Sequence, residues 1–124
     1  VFKRRRRARG KESPRVTAII RALTLRGVWA WRANSGTQVI KATVRTRRRV
    51  IKGAPAGTPD ILLVLPGGLL CGLEVKSDDG RQRPSQRVWQ AKAERHGVRY
   101  AVVRSVIEAL AVVSGWGQER RRAA

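Results

Sequence analysis

Gly57-Thr58-Pro59-Asp60-Ile61-Leu62-Leu63-Val64-Leu65-Pro66-Gly67-Gly68-Leu69-Leu70-Cys71-Gly72-Leu73-Glu74-Val75-Lys76 holds two apolar runs separated by a proline and two glycines. Runs of this length around such a break predict a β-hairpin with a glycine-containing turn. The few charges stand at the open end, away from the turn. With a three-residue loop Leu65 pairs with Leu69, and the register carried outward sets Asp60 across from Glu74. Cross-strand partners share a face, with Cβ atoms about 4.5–5.5 Å apart. Lys76, two residues beyond Glu74, projects to that face too. Two opposed carboxylates repel each other and call for a cation between them. Hard oxygen donors on an open face suit Mg²⁺, which keeps waters and binds substrate phosphates. A two-residue turn would slip the register by one and send the two acids to opposite faces.

The rest of the composition narrows the partner. In 124 residues, 28 Lys and Arg stand against eight Asp and Glu, a net charge of +20. Small domains that carry charge only for solubility sit at a magnitude of about 2–8. An excess of this size implies a polyanion, most simply nucleic acid. An anionic membrane is the weaker rival, because no basic amphipathic helix stands out and no apolar run approaches the ~18 residues of a spanning helix. Cys71 is alone, which excludes an intrachain disulfide or a thiolate zinc cluster and suits a buried core residue. His96 is also alone, which removes the two-histidine metal motifs and leaves a helix C-terminal residue. A soluble, cytoplasmic protein is expected.

Along the chain, residues 1–11 read as a flexible basic arm whose Arg4, Arg5, Arg6 and Arg7 lie on phosphates. A nuclear-localisation signal looks the same in sequence. A domain follows over residues 12–116. Its first helix is expected from Glu12 or Pro14 to Arg26, with Pro14 in the first turn, Gly27 as the stop, and Val16, Ile19, Ile20 and Leu23 as the apolar stripe. Val28–Arg32 reads as a strand with Trp29 and Trp31 on one face, as core, self-interface or base-stacking surface. Gln38–Arg45 alternates as a half-exposed strand. The stretch Thr37–Lys52, with Lys41, Arg45, Arg47, Arg48 and Arg49, reads as an arm or hairpin holding backbone phosphates.

Ile61–Leu65 is apolar at every position, the pattern of a central strand covered on both faces. Ser77–Arg83 is a polar loop whose Asp78 and Asp79 are solvated. Pro84 opens the next helix and Gly97 closes it, with Gln86, Trp89, Gln90 and Ala93 on one face. Trp89 and Ala93 packed on the sheet carry Gln86 towards Asp60 and Glu74, unless Gln86 serves only as a backbone cap. Val98–Arg104 is the last strand, parallel to that of Glu74 because a helix joins them. Ser105-Val106-Ile107-Glu108 is a capping box opening a short helix that ends at Gly115-Trp116-Gly117, and residues 117–124 are left as a basic tail.

Pro59-Asp60, a second strand and Glu74-Val75-Lys76 resemble the PD-(D/E)XK nuclease superfamily. With Gln86, Val88-Trp89, Gly97-Val98-Arg99-Tyr100 and the upstream Trp31-Arg32-Ala33-Asn34-Ser35-Gly36, the ordered set resembles the virus-type replication-repair nuclease (VRR-NUC) family from about Glu12 to Leu110. The resemblance implies an α/β fold with a restriction-endonuclease-like core, a mixed four-stranded sheet flanked by helices. It implies a Mg²⁺-dependent DNA endonuclease, with Mn²⁺ able to substitute, acting on branched, flap or junction DNA in phage or bacterial replication and repair. Asp60, Glu74, Lys76 and Gln86 would be catalytic. The metal would be held by Asp60, Glu74 and the Val75 carbonyl, with Glu12 either a third carboxylate or simply a first-turn acid favoured by the helix dipole. Free-standing members of the family are expected to pair, which makes a homodimer through Trp29, Trp31, Ile107, Leu110, Val113 and Trp116 the expectation. A non-catalytic nucleic-acid-binding module with structural carboxylates is the rival reading.

Overall fold

The computed structural model describes residues 9–33, 37–40, 42–44, 47 and 49–123. The elements run α1 (Arg9–Leu25), β1 (Trp29–Arg32), β2 (Thr37–Ile40), β3 (Arg49–Lys52), β4 (Ile61–Leu65), β5 (Leu69–Val75), α2 (Pro84–Arg95), β6 (Arg99–Val103) and α3 (Val106–Ala123). Strands β1, β4, β5 and β6 form one sheet in that order, and β2 and β3 form a second, two-stranded sheet. The hairpin has the odd loop, with Leu65 opposite Leu69 and Ile61 opposite Leu73. Within the loop, the Gly68 amide bonds the Leu65 carbonyl at 3.0 Å. β1 runs antiparallel to β4, and β6 parallel to β5 through the α2 crossover.

Side-chain alternation divides the sheet into two unequal faces. Ile61, Leu63 and Leu65 join Cys71, Leu73, Val75 and Val103 on the face that meets Val16, Ile19 and Leu23 of α1 and Ala109 and Val113 of α3. Each fully buried leucine or isoleucine there contributes about 1.5–3 kcal/mol. The second face, with Leu62, Val64, Gly72, Glu74 and Tyr100, meets α2. Trp89 of α2 packs on Tyr100 with ring centroids 5.9 Å apart. Since α2 leans towards β6, Leu62 and Val64 are only half-buried, so the expected cover on both faces of β4 is incomplete.

Three boundaries differ from expectation for identifiable reasons. α1 begins at Arg9 and carries Pro14 inside it, so residues 9–11 belong to the helix and not to an arm. Pro14 falls just past the first turn, where the earlier N–H groups have no intrahelical partner in any case, so it forfeits a single backbone bond. α3 does not stop at Gly115 or Gly117 but continues to Ala123, taking in most of the stretch expected as a tail. Two helical glycines cost about 1 kcal/mol each relative to alanine. Against that, Trp116 packs on the core, Arg120 donates to the Gly67 carbonyl at 2.6 Å, and the last turn ends in arginines that suit the dipole. The strand expected to reach Arg45 ends at Ile40. Val44 is fully exposed, because a separate two-stranded ribbon offers it no core.

A candidate active site at the open end of the hairpin

Two glycines shape the approach to Asp60. Gly57 has φ of 83°, and a Cβ there would lie 2.1 Å from the Ser85 carbonyl, so the backbone before Asp60 presses directly on the start of α2. At Gly72 a Cβ would come within 2.7 Å of the Pro59 ring, which needs the bare glycine backbone beneath it. Thr58 is buried, and both its amide and its hydroxyl bond the Pro55 carbonyl. Asp60 then stands just outside β4. Its carbonyl accepts from the Ala33 amide at 2.9 Å, and its carboxylate Oδ2 accepts from the Val75 amide at 2.8 Å.

The β4–β5 register carried one step outward sets Asp60 opposite Glu74 on the α2 face. Glu74 is 3 % exposed. Its Oε1 receives the Gln86 amide at 2.9 Å and lies 3.6 Å from the buried Lys76 ammonium. Its Oε2 is buried and meets no hydrogen-bond donor among the described residues. Burial first, and the adjacent Asp60 charge second, push the Glu74 carboxyl up to about 8, with Lys76 pulling less strongly the other way. The Lys76 amide donates to the Val103 carbonyl in β6, while the Val75 amide turns to Asp60. N–H and C=O of one strand residue point to the same side, so the Val75 carbonyl also faces the Asp60 side.

Gln86 sits in the first turn of α2. Its Oε1 accepts from the Arg83 amide at 2.7 Å, which orients the side-chain amide so that Nε2 donates to Glu74. Backbone cap and carboxylate contact, alternatives at the level of sequence, coexist in one side chain. The structure therefore brings Asp60, Glu74, Lys76 and Gln86 together. Glu12 stands in the first turns of α1 and Arg49 in β3. Arg47 is exposed, and Arg4, Arg5, Arg6, Arg7, Lys41, Arg45 and Arg48 lie outside the described residues. Among the described residues no group of three His, Cys, Asp or Glu forms a metal-ligating cluster. Asp78 and Asp79 are exposed, the former 3.7 Å from Arg15 and the latter bonded to the Ser77 hydroxyl. Cys71 is buried in the core, its thiol pushed up to about 11 mainly by burial. His96 caps the C-terminal end of α2.

Several supporting residues were not singled out from sequence. Arg15 donates to the Lys76 carbonyl at 2.8 Å, and Arg104 donates to the carbonyls of Ser77 and Gly80, so two guanidinium groups hold the chain as it leaves the site. Gln82 donates to the Tyr100 hydroxyl and to Gln90. Burial is the main cause that pushes the Tyr100 hydroxyl up to about 12. No local pattern marks Arg15 or Arg104 among so many basic residues. Tyr100 does carry a signal, its place in the stretch Gly97-Val98-Arg99-Tyr100, and the structure sets it opposite Gly72.

The VRR-NUC domain family model matches residues 10–107. A solved structure described as a VRR-NUC domain is 20 % identical with a TM-score of 0.53, covering 83 % of this chain and 94 % of that one. At that identity the likeness speaks to the fold alone. No curated protein matches the chain. The family match spans most of the chain and includes all four residues gathered at the hairpin's open end, and the chain belongs to the VRR-NUC family of nuclease domains.

Proposed function

We propose that the chain is a divalent-metal-dependent DNA endonuclease working at the Asp60–Glu74 pair. The observation that carries this reading is the buried Glu74 carboxyl set directly beside a second carboxylate, Asp60, with Gln86 and Lys76 on its other oxygen. Two carboxyl groups crowded together in the interior cannot both ionise cheaply, and either a retained proton or a bound cation relieves them. The donor set fits Mg²⁺, with Mn²⁺ as substitute: Asp60, Glu74 and the Val75 carbonyl are hard oxygens, and Glu12 is a further candidate. The ion, when bound, supplies charge neutralisation and Lewis acidity for phosphodiester hydrolysis.

The remaining roles belong to the chain's own groups. Lys76 extends a buried ammonium to the site from the same strand face as Glu74, suited to polarise a non-bridging phosphate oxygen or orient the attacking water. Gln86 acts as a positioning residue, since its Arg83 contact sets the direction from which it holds Glu74. Arg4, Arg5, Arg6, Arg7, Lys41, Arg45, Arg47, Arg48 and Arg49 supply the backbone-phosphate contacts, which position DNA without reading its sequence.

Branched, flap or junction DNA is the substrate class put forward, in phage or bacterial replication and repair. A homodimer is part of the reading, with less apolar surface than the sequence suggested: Val113 is core, and Leu110 and Trp116 pack on it. Ile107, 81 % exposed at the start of α3 and just beyond the end of β6, is the contact put forward on the helix. Cleavage of single-stranded, duplex, flap and four-way-junction DNA with Mg²⁺, Mn²⁺ or EDTA tests the chemistry. Metal-dependent cutting lost in Asp60→Ala is expected. Binding without cutting under every condition would favour the non-catalytic module. Sedimentation in high salt tests the dimer, and a monomer there removes it.

A further inference from the structure

We propose that the Trp29–Trp31 edge of the sheet is a stacking platform for unpaired bases of the strand entering the Asp60–Glu74 site. The inference rests on the nuclease reading and narrows its substrate to DNA with unpaired bases beside the scissile phosphate. Trp29 pairs with Val64 and Trp31 with Leu62, so both indoles lie on the α2 face, the face of Asp60 and Glu74. β1 tracks β4 as far as Asp60, whose carbonyl accepts from the Ala33 amide. Trp31 is therefore the diagonal neighbour of Asp60, about 7–8 Å away, and Trp29 lies one pleat further out.

A core role does not account for this edge. Trp29 is 70 % exposed, and Leu62, Val64 and Leu70 behind it are only half-buried because α2 leans over β5 and β6. The two indoles touch only partly, with centroids 5.3 Å apart and planes tilted by 48°. On α2, Gln90 faces the Tyr100 side, which leaves Val88, 71 % exposed, on the opposite flank towards β4. The result is an exposed aromatic and aliphatic strip along β1 and β4 that leads to the carboxylate pair.

Charge selects the occupant. A chain that carries +20 draws a single strand, which brings phosphates for the arginines and flat bases for the indoles. Every base has a π-face, so stacking is tolerant of sequence but demands that the base be unpaired. Paired bases in a duplex keep their faces stacked on one another and gain nothing from the strip.

Binding is measured in EDTA on the Glu74→Gln background, where no cutting occurs, with oligothymidylate and a blunt duplex of equal length at fixed salt. Trp29→Ala is expected to weaken oligothymidylate binding roughly 5- to 100-fold, as loss of a stacked base does, and to change duplex binding less than twofold. Trp29→Phe is expected to retain most of the affinity and to lose part of the indole fluorescence quenching on addition of oligothymidylate. Equal losses on both ligands, or no loss on either, overturn the platform. Sedimentation without DNA supplies the other check: a dimer that becomes a monomer in Trp29→Ala makes this edge a self-interface and also overturns the proposal. Failure of the nuclease reading looks different. Wild-type protein that never cuts with Mg²⁺ or Mn²⁺, yet still prefers unpaired DNA through Trp29, removes the chemistry and leaves the platform standing.

Discussion

Glu74→Gln should make the metal-free protein more stable at alkaline pH while abolishing its cleavage. The Glu74 carboxyl is held at about 8, against an ordinary value of 4.5. A raised carboxyl pKa means that the folded state binds the proton more tightly than the unfolded chain. Its contribution to stability is thus complete below about pH 4.5, is lost as pH rises towards 8, and is constant above that. A carboxyl moved from 4.5 to about 8 sets a ceiling of about 5 kcal/mol on this effect. At pH 7 the corresponding figure is about 3 kcal/mol. Small domains have total stabilities of about 5–15 kcal/mol, so this one ionisation is a large share. The amide removes the titration and keeps an oxygen for the Gln86 donor. It also relieves the repulsion between Glu74 and Asp60, at the loss of the Lys76 ion pair.

Denaturant titrations in EDTA at pH 5, 7 and 9 read the effect. Wild type and variant should unfold at similar concentrations at pH 5, and the gap should widen in favour of the variant by pH 9. Adding Mn²⁺ at pH 7 should raise the wild-type midpoint, because a ligand of the folded state stabilises it by mass action, and should move the variant much less. Parallel pH curves, or a variant weaker than wild type at pH 9, would show that Glu74 is not a buried, destabilising carboxylate and would refute the reasoning. Activity bought with stability in this way is a common pattern at functional sites.

Asp60→Asn and Lys76→Ala should each lower cleavage at least 100-fold with DNA affinity within about twofold, since phosphate contacts elsewhere dominate binding; matched losses of binding and cutting would contradict this. Removing residues 1–8 should flatten the log–log dependence of affinity on salt by several units, at roughly 0.9 per phosphate contact, and an unchanged slope would show that this segment does not lie on DNA. Gly57→Ala should cost about 3 kcal/mol through a positive φ and a backbone overlap with Ser85, and a thermal midpoint equal to wild type would remove the close approach.

Much of the site was legible because it depends on short-range rules. The odd loop at Pro66-Gly67-Gly68 determines the pairing, and a period of two then carries Asp60, Glu74 and Lys76 to one face. The i, i+3, i+4 spacing on α2 likewise carried Gln86 to Glu74. What was not legible depends on distant partners. Gly115 and Gly117 look like a stop until Arg120 meets the Gly67 carbonyl, 53 residues away in sequence. Arg15 holds Lys76 across 61 residues. The depth of Glu74 burial arises from how α2 lies on the sheet, with Gln86 over its carboxyl. An alternating pattern carries no record of that packing.

The position of the two carboxylates follows from where backbone ladders run out. Through the middle of the β4–β5 pair the backbone groups are committed to neighbouring strands, which leaves little for a side chain to grip. At Asp60 the β4 ladder has ended, the Val75 amide still needs an acceptor, and the aspartate carboxylate supplies it. At the start of α2 the Arg83 amide is likewise left without an intrahelical partner, and Gln86 takes it while holding Glu74. Each carboxylate is thus oriented by an amide that regular structure left over, one directly and one through Gln86. Gly57 brings those two element ends into contact, since any side chain there would push α2 away from Asp60. An arrangement built on these leftovers needs no long loop, which explains how a carboxylate pair, a lysine and a glutamine can be brought together in a chain of 124 residues.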